Sequence, residues 1–211
     1  MEVRVCDEWP GGLGWITDER IPRTSHALAV GGGVWLVDPV DTPDLDERIS
    51  RLGEPRGVIQ LLDRHERDSP AIARRLGVPH HEVPLRSIPG APFELVPLVR
   101  MPGWREVALW HPEGRVLVCA DALGTLPYFR TPGELLGVHP FLRLLPPRAL
   151  ARLSPLRVLV GHGEGVHGDA AAVAVRDAVT ASRRRTPAWA LGLGIEAAGA
   201  LAGRLRRLGV R

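Results

Sequence analysis

The 211-residue chain has no lysine; all 27 of its basic residues are arginine. Alongside its many Ala, Gly and Pro residues, this reads as the codon bias of a GC-rich bacterial genome, an account that precedes any arginine-specific chemistry. Cysteine is scarce, with only Cys6 and Cys119. Two cysteines make neither a disulfide framework nor a zinc–cysteine cluster, so a reducing cytoplasm is the expected compartment. No apolar run approaches the roughly 20 residues needed to cross a bilayer. The opening MEVRVCDEWPGG lacks the basic start and apolar stretch of a signal peptide. Internal repeats, low-complexity tracts and nucleic-acid-binding motifs are also lacking, so no nucleic-acid partner is expected.

What remains suits a globular enzyme or binding module. Apolar residues make up 45% and charged residues 24%, enough for one domain with a sizeable core. The net charge of +3 is unevenly spread. From Arg176 to Arg211 eight arginines face only Asp177 and Glu196, a local +6 that leaves −3 for the rest. Short apolar runs predict buried strands at Val34–Val37, after the hairpin glycines Gly31–Gly33, and at Gly57–Leu62, Val78–Val83, Leu95–Val99, Glu106–Trp110, Arg115–Cys119 and Leu156–Val160. Helices are predicted at Leu45–Leu52, at Pro70–Leu76 with Ser69 as N-cap, and in the Ala-rich stretch ending near Ser182. Strands that dominate early and then alternate with helices suit two mixed sheets with helices outside.

Three segments following buried strands carry the candidate chemistry: Leu61–Pro79 (LLDRHERDSPAIARRLGVP), Arg100–Trp110 (RMPGWREVALW), and the pair RVLVCADALGT and RVLVGHGEGVHGDAAA. In order, spacing and strand context, over residues 24–182, they resemble the metallo-β-lactamase superfamily. The resemblance implies fold class α/β (α+β), an αββα four-layer sandwich, over residues 1–186, and residues 187–211 read separately, from their own spacing, as a basic amphipathic helix. Laid over the family's His-x-His-x-Asp-His loop, the two leading histidines fall on Arg64 and Glu66, the aspartate on Asp68 and the last histidine on Ser69. Trp104 stands where the Pro-Gly-His turn has its histidine. The bridging aspartate is Asp121 and the late histidine His162. Of seven family ligand positions, Asp68, Asp121 and His162 keep the expected residue.

The first metal's three ligands thus fall on Arg64, Glu66 and Trp104. A guanidinium is a permanent cation without a lone pair to give, and an indole offers none, so at most one ion is expected. Asp68, Asp121 and His162 would hold a single Zn, Fe or Mn, and some relatives are understood to work with the second site alone. The resemblance therefore implies a mononuclear metal-dependent hydrolase, with Asp68 at the centre and Glu66 as a ligand or general base. The substrate class stays open among ester, thioester, phosphoester and lactam. The alternative is a non-catalytic relative without metal, whose cleft binds a protein or a small anionic molecule attracted by Arg64. For Glu66 the plain account is a salt bridge to Arg64 or Arg67; for Asp68 and His162 it is a hydrogen-bonded pair.

Other candidates have simpler explanations. In an extended loop neighbours alternate, so His65 is expected to face outward. His167 is the most credible additional ligand, although a loop His before Gly is usually just exposed. His26 could line the mouth. Cys119 shares parity with Asp121 but reads as a small core residue. His80, His81, His111 and His139 read as ordinary strand or turn residues. In the last segment Leu191, Ile195, Ala198, Leu201, Leu205 and Leu208 form a stripe at helical spacing. Docking onto its own domain is expected there, over a dimer contact or an anionic membrane surface, because Glu196 and a single aromatic, Trp189, suit a membrane poorly.

Overall fold

A computed structural model describes residues 2–207, with side chains to residue 192. The first sheet has six strands in sequence order: β1 (Val3–Trp9), β2 (Gly12–Thr17), β3 (Thr24–Val30), β4 (Gly33–Val37), β5 (Pro55–Gln60) and β6 (His80–Glu82). Its first four strands are antiparallel, and β5 and β6 add in parallel. The helices α1 (Leu45–Leu52) and α2 (Ser69–Leu76) make the crossovers. Gly31 and Gly32, at φ +61° and +75°, form the tight turn between β3 and β4 that only left-handed residues close well.

The second sheet contains β7 (Glu94–Met101), β8 (Trp104–His111) and β9 (Val116–Cys119) as an antiparallel meander. After the short pair β10 (Leu123–Gly124) and β11 (Gly137–Val138), the strand β12 (Arg157–Val160) joins β9 in parallel and β13 (Val166–His167) closes the edge. The helix α3 covers Asp169–Arg207.

The alternation of strand side chains decides what packs where. In β4, Trp35 and Val37 join the core shared with Leu109 of β8, Leu117 of β9 and Val175 of α3. Their neighbours Val34 and Leu36 join a second core with Leu45 and Ile49 of α1 and Ile72 of α2. Each short helix presents apolar residues three or four apart to that face, and burying each such side chain contributes about 2 kcal/mol.

Strand and helix positions agree with the sequence expectations apart from three features. The strands β1, β2, β10, β11 and β13 were not foreseen, and β3 was implied only by the hairpin glycines before β4. Asp68, not Ser69, precedes α2, and it makes no side-chain cap bond because its Oδ2 accepts the Asp41 N–H at 2.8 Å. The helix expected to end near Ser182 instead continues as α3 across residue 186, with Pro187 inside it. Leu191 is exposed. The stripe side chains from Ile195 to Leu208 lie outside the described residues.

Candidate metal centre

Three strand ends build the site. The parallel register of β9 and β12 ends at Cys119 opposite Val160, and Gly161 N–H donates to the Ala120 carbonyl at 3.0 Å. Asp121 and His162, each two residues beyond its strand, therefore emerge side by side. The third piece follows β5. Leu61 and Asp63 bond across to Val107 and Arg105 of β8, and Leu62 bridges to Glu106. This carries the loop 62–68 from the first sheet to the second.

The loop then makes two successive turns instead of extending. His65 N–H bonds the Leu62 carbonyl at 2.8 Å and Ser69 N–H bonds that of Glu66 at 3.0 Å, with Arg67 at φ +46°. The alternation expected for an extended loop does not apply. His65 turns inward and is buried, whereas Glu66 is exposed. His65 Nε2 and His162 Nε2 each lie 3.1 Å from Asp121 Oδ1, and the three ligand atoms fall within 4.8 Å of one another. The imidazole rings meet edge to face at 5.3 Å.

The far side of each ring is fixed. His65 Nδ1 faces Asp38 Oδ2 at 3.0 Å, and His162 Nδ1 faces the Pro22 carbonyl at 2.7 Å. Acceptors at both Nδ1 atoms place the protons there and leave the Nε2 lone pairs pointing at Asp121. Asp121 Oδ1 is buried and has no hydrogen bond of good geometry. Three electron pairs thus converge on one small space, which requires protons or a cation.

The electrostatics follow from this geometry. Burial works to raise the Asp121 pKa, but His162 and His65 outweigh it and hold the carboxyl well below its ordinary range. Burial works to lower the His65 pKa, yet Asp121 and Asp38 leave it raised. Behind them Glu106 is fully buried. Its Oε1 accepts the N–H groups of Ala120, Asp121 and Ala122 at 3.1, 3.0 and 2.9 Å, and its Oε2 that of Trp104 Nε1 at 3.1 Å. Burial and the Asp121 charge lift its pKa to about 7 against those donors. Glu106 fixes the backbone that presents Asp121.

Of the residues the sequence singled out, Asp121 and His162 come together and Asp68 does not join them. Among the described residues the group is His65, Asp121 and His162. Asp68 instead ties its loop to the Asp41 N–H, and Glu66 is exposed. The inward positions are His65 and Arg67, one residue earlier than the assigned Glu66 and Asp68. Arg67 is half-buried, and its guanidinium donates to the carbonyls of Thr24, Asp38 and Gly161 at 2.6, 2.7 and 3.1 Å. Arg64 lies at the surface, 4.7 Å over the buried Trp104 ring, with Nη2 3.3 Å from Asp121 Oδ2. Ser69 is buried, its hydroxyl without a partner.

His167 pairs with Asp7 at 2.7 Å, away from the group. His26 is fully buried, donates from Nε2 to the Val160 carbonyl at 3.1 Å, and has its pKa pushed down to about 4 by burial. Cys119 lies in the core, its thiol pKa raised by burial. His139, read as ordinary, packs on Trp104 with centroids 4.7 Å apart. Burial lowers its pKa to about 4, and it feels the charges of Asp121, Arg64 and His162. Its Nδ1 accepts the Phe141 N–H at 3.3 Å, so Nε2 carries the proton of a neutral donor. Asp38 and Glu106 were also missed. A lone Glu inside the apolar strand β8 was the one available signal.

No protein-family model and no curated protein matches the chain. Solved structures do match its fold. A chemotaxis sensor ODP, solved as a peroxy diiron species, is 16% identical, with 85% of this chain and 94% of that one covered and a TM-score of 0.56. A metallo-β-lactamase from Pontibacter korlensis is 11% identical over 85% and 99%, with a TM-score of 0.55. The metallo-β-lactamase FIM-1 from Pseudomonas aeruginosa, in its mono-zinc form, is 12% identical over 86% and 97%, with a TM-score of 0.51.

Proposed function

We propose that this chain, which has the metallo-β-lactamase fold, is a mononuclear metal-dependent hydrolase whose ion is held by His65 Nε2, Asp121 Oδ1 and His162 Nε2. The observation that carries the reading is the buried, unpartnered Asp121 Oδ1 with two imidazole nitrogens 3.1 Å away. Two imidazoles and one carboxylate with open positions suit Zn, Fe or Mn. The mono-zinc form of FIM-1 is a fold precedent for one ion. When bound, such an ion supplies Lewis acidity, acidifying water and polarising a carbonyl or phosphoryl oxygen.

The chain's own residues would do the rest. Asp38 and the Pro22 carbonyl orient the two imidazoles and keep Nε2 free. His139 stays neutral through the physiological range and offers Nε2–H to a developing oxyanion. Arg64 keeps most of its donors free over Trp104 and would bind a small substrate carrying negative charge near the labile bond. Trp104, Tyr128 and His139 form an aromatic rim that excludes water.

Cobalt(II) titration of the full chain, followed by visible absorption, tests this. One equivalent should bind, and His65→Ala, Asp121→Ala and His162→Ala should each abolish the signal while Asp68→Ala keeps it. Absence of binding, or dependence on Asp68 in place of His65, overturns the reading. A second reading is favoured by the Arg64–Asp121 contact at 3.3 Å, which sets an internal cation beside the acid. On that reading the cleft is metal-free and binds a small anionic ligand without chemistry.

A further inference from the structure

The segment Pro140–Leu145 is inverted in polarity. Arg143 is fully buried at 0% exposure, while Phe141, Leu144 and Leu145 are 80%, 63% and 76% exposed. Water selects the opposite arrangement. The three apolar side chains stand three and four residues apart on tight turns, closed by Arg143 N–H to the Pro140 carbonyl at 3.3 Å and Leu145 N–H to the Leu142 carbonyl at 2.9 Å. All three are exposed within this one short segment.

The ridge is held in place from beneath. Arg143 Nη2 donates to the Phe129 carbonyl and to the buried Glu134 carboxylate at 3.0 Å, and its guanidinium lies 5.5 Å over the Trp189 ring. Ser182 Oγ donates to the Arg143 carbonyl at 2.8 Å, and Arg183 Nε to the Leu144 carbonyl at 2.6 Å. Burying an ion pair carries a desolvation cost, and here it supports an apolar tip presented to solvent.

Cations border the tip. Arg148 follows Leu145 by three residues, Arg183 donates to the Leu144 carbonyl from α3, and Arg184 is the next residue of that helix; all three are exposed. Among the described residues none of them forms an ion pair. The acid beside the tip, Glu134, is already engaged by Arg143 and Arg185, and Asp177 by Arg185.

We propose that this ridge seats the protein on an anionic lipid bilayer, with Phe141, Leu144 and Leu145 entering the acyl boundary and Arg148, Arg183 and Arg184 meeting the headgroups. Apolar side chains combined with unpaired cations are the requirements of such a surface. A second copy of the chain fits worse. Three side chains offer only a few hundred Å², against roughly 800 Å² per partner in a stable interface, and a symmetric contact would bring like charges together. Phe141, Leu144 and Leu145 are not residues of the C-terminal stripe, so the sequence-based case against a membrane, made on Glu196 and Trp189, does not bear on them. His139 stacks on Phe141 at 5.4 Å and on Trp104 at 4.7 Å, which places the ridge beside the mouth of the metal centre. The proposal does not depend on that centre binding metal.

The test is co-sedimentation of the full chain with phosphatidylcholine vesicles, with and without phosphatidylglycerol. Binding should require phosphatidylglycerol and weaken with salt. Replacing Phe141, Leu144 and Leu145 together by Ser should lower the partition coefficient at least about ten-fold, and Arg184→Ala about five-fold. All four side chains are exposed, and an unchanged thermal midpoint would verify folding. Phe141→Trp should keep binding and shift its emission to the blue on anionic vesicles. Absence of binding to anionic vesicles overturns the proposal, as does undiminished binding of the triple Ser variant, which would assign the attraction to arginines elsewhere. A dimer that the triple Ser variant converts to monomer would identify the ridge as a contact between copies and also overturn it.

Discussion

Two carboxylate–histidine clusters draw on the segment that follows β12, through His162 and His167, and they differ in what their electron pairs face. Around Asp7 both carboxylate oxygens have donors. Oδ1 accepts from Gly165 N–H at 3.0 Å and His167 Nε2 at 2.7 Å, and Oδ2 from Cys6 Sγ at 3.3 Å. Gly14 has no Cβ where one would come within 3.0 Å of both Asp7 Oδ2 and His26 Nδ1. Around Asp121 two imidazoles present lone pairs, because their protons are drawn to Asp38 and Pro22. In the first cluster the carboxylate is satisfied and ties β1 to the loop after β12, although the buried His26 Nδ1 beside it has no partner. The second needs protons or a cation between its three groups. Residue types alone do not separate a latch from a candidate metal site; the acceptors behind the rings are what set the two clusters apart.

Exchanging the roles of the two acids should break this comparison most severely. Asp121→Ala should abolish metal binding, measured by elemental analysis of protein purified without chelator. Asp7→Ala should retain near one equivalent but lose about 3 kcal/mol of stability in urea, because Gly165 N–H and His167 lose a charged acceptor inside the fold. Metal lost in Asp7→Ala, with the fold intact, would dissolve the distinction.

The pH dependence separates the clusters next. His26 beside Asp7 has its folded pKa lowered to about 4. The unfolded chain takes up this proton below about 6.5 while the folded one does not, so stability is lost as pH falls from about 6.5 towards 4. The full window corresponds to about 3 kcal/mol, and about 2 kcal/mol of it falls between pH 7 and pH 5. His65 in the metal-free protein runs the other way. Its raised pKa contributes stability that is present at acid pH and lost as pH rises through the folded value. In metal-free protein, urea unfolding at pH 5 and pH 7 should show a flatter dependence in His26→Gln and a steeper one in His65→Ala. The opposite slopes would refute both assignments.

The sheets and the position of Asp121 and His162 were legible because each residue follows a short apolar run that can only be a buried strand. Placing two such residues side by side needs only that β9 and β12 be parallel neighbours, which the family resemblance implies. His65 was not legible. Its direction depends on a turn at Leu62–His65 and a positive φ at Arg67, and neither is encoded by Gly or Asn, the residues that usually announce such geometry. Asp38 has the same difficulty, at φ +43°. Strain of this kind is held at sites where the surroundings over-determine it. Here the surroundings are the Leu61 N–H on Asp38 Oδ1 at 2.8 Å and the Arg67 guanidinium on the Asp38 carbonyl at 2.7 Å.

Asp38 leads to a prediction of intermediate size. Its Oδ2 orients His65 from behind, so Asp38→Asn should keep the fold and the binding stoichiometry but weaken cobalt affinity by about 10- to 100-fold. An unchanged affinity would mean that the ring is held by packing alone.

The smallest effect concerns Arg64, and its sign carries the information. The guanidinium sits 3.3 Å from Asp121 Oδ2 and is about half exposed. If the centre is a metal site, Arg64 opposes the ion twice, by repulsion and by competing for the carboxylate. Both effects are screened by solvent, so Arg64→Ala should raise cobalt affinity by only about two-fold, or about 0.5 kcal/mol. The same change should shrink with added salt, because the pair lies at the surface. Isothermal titration at two ionic strengths would measure it. A fall in affinity would mean that Arg64 builds the site through its stacking on Trp104, which would move it from a substrate-binding cation to a structural one.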